Sequence, residues 1–135
     1  MVADNGMLGM MIRVTDEQFH ELVQQAVAAI PERFAKALNN VAFLVEDEPT
    51  QAQLRAGGVL HGRGMLLGLY EGIPLPARGA GYNGVVPDVI TVFRKPHEAL
   101  APDLESLRRS VHETVWHEVA HYFGLDHGAI ERLQA

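Results

Sequence analysis

His117-Glu118-Val119-Ala120-His121-Tyr122-Phe123-Gly124-Leu125-Asp126-His127 is the stretch from which the rest of the chain is read. Its order is H-E-x-x-H-x-x-G-x-x-H. On a helix of about 3.6 residues per turn, His117 and His121 leave the same face one turn apart. Two imidazoles so placed can reach one ion at roughly 2.0–2.1 Å. Glu118 lies roughly 100° around the helix, where its carboxylate can accept a proton from water held by that ion. Gly124 has no Cβ, so it can take a positive φ, end the helix and turn the chain to bring back His127. The candidate metal ligands are His117, His121 and His127, and the candidate catalytic residue is Glu118. Three neutral nitrogens and one open position describe a catalytic zinc centre, although other divalent transition metals accept the same donors.

Upstream of the motif, Leu104, Leu107, Val111, Val115, Val119 and Tyr122 recur at three- and four-residue steps. They define an apolar face distinct from the Ser110, Thr114, His117 and His121 line. A helix starting near Pro102-Asp103 would bury the first face and present the second to a cleft. Towards the N-terminus, Thr15 or Asp16 can cap a helix carrying Phe19, Leu22, Val23, Ala26, Val27 and Ile30 at helical spacing up to Pro31. A shorter helical piece is predicted from Pro31 to Leu38, with a break at Asn39-Asn40. Val41–Val45 is a continuous apolar run and is expected to be a buried strand. The acidic exit at Glu46-Asp47-Glu48 is expected to be a solvated loop. Residues 49–64 are expected to be irregular or partly helical. Met65–Tyr70 and Val89–Phe93 are read as further strands, and residues 72–87, rich in glycine and proline, as a long surface loop.

The chain has 135 residues, 47% of them hydrophobic, which suits one domain able to bury a core. Residues 1–11 are expected to be a flexible tail without the basic region of a signal peptide. A formal net charge of −6 argues against a broad phosphate-binding surface, so no nucleic-acid partner is expected. With zero cysteines, disulfide and thiolate chemistry are excluded, and a cytoplasmic location is expected. No run approaches the roughly 18 apolar residues of a membrane span. His20, His61, His97 and His112 are expected to be surface or locally hydrogen-bonded histidines.

His117, Glu118, His121, Gly124 and His127 match the extended signature of the metzincin metallopeptidases. The layout of Leu67-Gly68-Leu69-Tyr70-Glu71-Gly72, Pro87-Asp88-Val89-Ile90 and the C-terminal His-Glu helix resembles the short, single-domain zincin-like metallopeptidases of bacteria. The resemblance spans nearly the whole chain; its metal motif is sharp, and its loop and strand motifs are soft. It implies an α+β, minimal zincin-like fold: a small mixed three-stranded sheet packed against an N-terminal helix and a C-terminal active-site helix. The implied strand order is first, third, second, leaving Met65–Tyr70 as an antiparallel edge beside the cleft, where an extended peptide can add. Arg78 and Tyr82 in the long loop are candidates for polarising a carbonyl or binding a carboxylate. No methionine follows Met65, so the methionine turn of metzincins is not expected after His127.

The implied activity is peptide-bond hydrolysis by zinc-activated water, with Glu118 as general base and then proton donor to the leaving amine. Two alternatives stay open. Metal-dependent endoribonucleases with H-x3-H-x5-H spacing share the three histidines, but they generally carry glycine at the position of Glu118. A metal-stabilised binding module without catalysis would use the ion only as a folding ligand.

Overall fold

In the computed structural model the described residues are 12–58, 65–84 and 86–125, together with the backbone of Val2–Ala3. Those two residues form β1. The first helix, α1 (Asp16–Ala28), starts where the sequence places it. The Thr15 hydroxyl accepts the Gln18 backbone N–H at 3.1 Å, and the Gln18 side chain accepts the Thr15 N–H at 2.8 Å. This reciprocal cap satisfies two donors that a helix start leaves open and stabilises it by about 1 kcal/mol. Phe19, Leu22, Val23 and Ala26 form its buried face. The next helix, α2 (Glu32–Ala35), is shorter than the predicted piece. Asn40, at φ 59°, breaks the chain before the sheet, as expected.

Three strands make the main sheet: β2 (Val41–Glu46), β4 (Gly68–Glu71) and β5 (Asp88–Phe93), in the order β2-β5-β4. β2 runs parallel to β5, with Phe43 opposite Ile90, and β4 runs antiparallel to it, with Tyr70 opposite Ile90. The sheet is therefore mixed and has the implied strand order. Only β5 is central, and Ile90, Val92 and Phe93 are each fully buried. The expectation of a buried strand at Val41–Val45 is corrected: β2 is an edge, and Leu44 is 44% exposed. Val41, Phe43 and Val45 pack against the core, whereas Leu44 and Glu46 on the opposite face are exposed.

The strand expected at Met65–Tyr70 is split. β3 (Met65–Leu66) pairs antiparallel with β1, and only β4 joins β5. Between them the Leu67 carbonyl accepts the Phe93 N–H at 3.0 Å. The segment before it holds α3 (Gln51–Ala56), capped by Thr50.

β5 leads directly into α4 (Arg94–Leu100), for which the sequence carries no clear helical pattern. Pro96 lies in its first turn, where a backbone N–H has no intrahelical acceptor, so proline is tolerated. α5 (Leu104–Tyr122) then crosses the sheet. The larger core joins Phe19, Leu22, Val23 and Ala26 of α1 to Ile90 and Val92 of β5 and to Leu107, Val111, Val115 and Val119 of α5. On the other side, Leu66, Leu69 and Phe93 form a smaller cluster with Leu54. The acidic exit of β2 serves ion pairing: Asp47 meets Arg94 at 2.9 Å and Glu48 meets Lys95 at 3.5 Å. Among the described residues no helix is long and apolar enough to cross a membrane.

Candidate active site

α5 carries the motif, and both of its ends are fixed by local chemistry. Asp103 caps the start, its carboxylate accepting the Ser106 N–H at 2.7 Å. At the other end the Leu125 N–H reaches the Ala120 carbonyl at 3.0 Å and the Gly124 N–H reaches the His121 carbonyl at 2.9 Å. With Gly124 at φ 74°, this is the left-handed termination expected from the sequence. A Cβ at Gly124 would stand 2.8 Å from Pro76 Cγ, so glycine also lets the helix end touch the 72–87 loop. Leu107, Val111, Val115, Val119 and Tyr122 are buried as the periodicity predicts, whereas Leu104 projects past the core and is 54% exposed.

His117 and His121 are half-buried and Glu118 is buried. One ligand atom from each of the three lies within 4.8 Å of those of the other two, and the two imidazole rings stand edge to face with centroids 4.8 Å apart. Among the described residues this is the group of histidines and carboxylates that can hold a metal ion. Two imidazoles on one helix face with an adjacent carboxylate form a donor set that suits zinc. His127 lies outside the described residues.

Glu118 is also tied to the sheet. Its Oε1 accepts the Tyr70 backbone N–H at 2.9 Å, which joins the edge strand to the middle of the motif. Gly68 permits that approach: a Cβ there would stand 2.4 Å from Thr114 Cγ2 and 3.4 Å from Glu118 Cγ. The helix and strand can meet this closely only where the strand has no side chain. In the sequence, a glycine inside an otherwise apolar strand is the signal that marks this close approach. A cleft of about 640 Å³ opens here, lined by Gly57, Leu66, Leu69, Tyr70 and Pro74 along with the motif residues.

Arg78 and Tyr82 do not line this cleft, and the expectation that they bind substrate is corrected. The Arg78 guanidinium is 5% exposed and pairs with Asp88 at 2.7 Å. It also donates to the Asn39 carbonyl at 2.8 Å and, through Nε, to the Ile73 carbonyl at 2.9 Å. Tyr82 stacks on the guanidinium at 4.4 Å, and its hydroxyl accepts from the Asn40 amide at 3.2 Å. The Tyr70 hydroxyl donates to Asp88 Oδ2, and the Ile73 N–H to Oδ1 at 3.2 Å. Burial works against the Asp88 charge, but bonds from Tyr70, Arg78 and Ile73 outweigh it and hold the carboxyl below its ordinary range. Burial, followed by the bond to Asp88 and its charge, drives the Tyr70 hydroxyl strongly upward, so it stays protonated.

The remaining histidines divide. His20 is exposed beside the Asp16 carbonyl, and His61 lies outside the described residues. His112 is half-buried on α5. His97 is hydrogen-bonded but not at the surface: it is fully buried, with Nδ1 2.9 Å from Ser110 Oγ and its ring 5.9 Å from that of Phe19. Burial, partly opposed by the Leu67 carbonyl, lowers its pKa to about 3, so it is neutral at ordinary pH.

A mixed three-stranded sheet, a helix presenting two imidazoles and a carboxylate, and an edge strand bonded to that carboxylate define a zincin-like arrangement with a candidate metal centre. The sequence model of the zincin-like metallopeptidases matches residues 38–135, and the chain belongs to that family. No curated protein matches the sequence. Among solved structures, the chain is similar to a conserved hypothetical protein from T. thermophilus. The two share 25% identity with a TM-score of 0.54, over 82% of this chain and 94% of the other.

Proposed function

We propose that the protein is a zinc-dependent peptidase, with His117, His121 and His127 as a metzincin-type ligand set and Glu118 as general base. The observation that carries this reading is the placement of Glu118, adjacent to both imidazoles and anchored at 2.9 Å to the edge-strand N–H of Tyr70. When bound, the ion supplies a Lewis acid that acidifies water and polarises the scissile carbonyl. Glu118 takes the proton lost by the attacking water and passes it to the departing amine nitrogen as the C–N bond breaks. The Tyr70 N–H restricts rotation of the carboxylate, keeping it aligned for both transfers. β4 offers an extended backbone along the cleft, so the substrate is a peptide or protein segment lying beside it. Family membership favours this chemistry over the endoribonuclease alternative. The acidic overall charge and the lack of cysteine fit a cytoplasmic peptide substrate.

The test is metal analysis together with a peptide-library digest of wild type and Glu118→Gln. The variant is expected to keep the metal and to lose about 100-fold or more of the hydrolysis rate, the range for a general base. Hydrolysis at the wild-type rate by metal-loaded Glu118→Gln removes Glu118 from the mechanism. No cleavage by the metal-loaded wild type removes the peptidase reading.

A further inference from the structure

A second hollow, of about 530 Å³, lies between the C-terminal end of α1 and α5. Ala26 of α1 and Ala29 and Ile30 just beyond its end line one side, and His112, Glu113, Trp116 and His117 of α5 the other. Two small side chains, Ala26 and Ala29, share its lining with the Trp116 indole. Trp116 is held from behind by Phe34, edge to face at 5.0 Å, and offers a preset aromatic surface. His117 lines this hollow and the metal-site cleft alike. A side chain seated here would lie against a residue that also borders the candidate reacting centre. The size falls within the usual range for small-ligand sites, about 300–1,000 Å³. Its polar lining is Glu113 with the imidazoles of His112 and His117, and it holds no lysine or arginine, so an acidic occupant would meet a carboxylate and no fixed cation.

We propose that this hollow is the specificity subsite of the peptidase and takes an apolar, preferentially aromatic, side chain of the substrate peptide. The inference rests on the peptidase reading and adds the substrate class. Trp116 is the one tryptophan of the chain, so its emission reports occupancy directly.

The test uses full-length, zinc-loaded Glu118→Gln and blocked glycine peptides that differ only in a central Phe, Leu, Ala or Asp, with Trp116 fluorescence as the readout. The Phe peptide is expected to bind about tenfold or more tightly than the Ala peptide, corresponding to about 1.4 kcal/mol, and the Asp peptide weakest. Ala29→Phe, added to that protein, fills the hollow and is expected to reduce the Phe-over-Ala preference to about twofold or less. Ala29 is an exposed helix cap at φ −83°, a conformation open to larger residues. Ala29→Asp, which places a charge in the hollow, is the second variant and is expected to abolish the preference as well. Equal affinity for all four peptides, no emission change with any of them, or a preference surviving both variants overturns the subsite. A library digest keeps the two readings apart. Cleavage by wild type without aromatic preference sinks the subsite and spares the peptidase, whereas discriminating binding without cleavage does the reverse.

Discussion

Tyr70 stands between two polar clusters. Its backbone N–H reaches Glu118 in the motif cluster at 2.9 Å, and its hydroxyl donates to Asp88 in the cluster beneath the 72–87 loop. The motif cluster comes from one turn of one helix and opens onto a cleft. The loop cluster draws on Asn39, Tyr70, Arg78, Asp88 and Tyr122, which lie far apart in sequence, and its central ion pair is 4–5% exposed. The first is assembled by secondary structure and then placed by packing. The second exists only when the fold closes, and it secures that closure by leaving neither buried charge unpaired. Gly72 marks the same spot: a Cβ there would stand 2.2 Å from Asp88 Cγ.

The contrast predicts that damage to the loop cluster reads out as stability and damage to the motif as metal binding. Asp88→Ala should cost about 3 kcal/mol, because it strands the Arg78 guanidinium in a closed site. Urea unfolding of the variant against wild type measures it, and a loss below about 1 kcal/mol would break the contrast. Zinc at about 100 times its dissociation constant should stabilise the wild type by about 2.7 kcal/mol. That gain should vanish in His121→Ala and persist in Asp88→Asn; thermal melts with zinc or a chelator decide between these outcomes.

A smaller, pH-dependent effect comes from His97, which belongs to neither cluster. Its folded pKa, about 3, lies below the ordinary value of 6.5, so between those values the unfolded chain binds the proton and the native state does not. Stability is full above pH 6.5 and falls with acidification towards pH 3, by at most about 1.4 kcal/mol per pH unit. His97→Asn should flatten that slope between pH 7 and 5 in chemical unfolding. An unchanged slope would place the acid sensitivity elsewhere. Below that window Asp88 adds its own loss, since a carboxyl with a lowered pKa contributes stability only while ionised.

Features governed by neighbours a few residues away were readable in the chain. Thr15 and Gln18 announce their capping box, and the three- and four-residue steps from Leu107 to Tyr122 announce a buried face. Gly124 announces a helix end. The chain misleads wherever a residue's partner lies in another element. Val41–Val45 looks fully buried because it is apolar, yet its place at a sheet edge leaves Leu44 exposed. Arg78 looks like a surface cation in a glycine-rich loop until Asp88 and Tyr122 close around it. His97 has no spacing that distinguishes a buried imidazole from an exposed one, because Ser110 and Phe19 reach it from two other helices.

The helical register that puts His117 and His121 on one face with Glu118 beside them follows from residue spacing, since about 3.6 residues per turn is a property of the backbone. Tertiary structure alone decided that β4 lies close enough to α5 for the Tyr70 N–H to hold Glu118. It also decided that Arg78 is sealed and that a hollow remains beside Trp116. Each of those outcomes depends on distances between segments, which only packing sets.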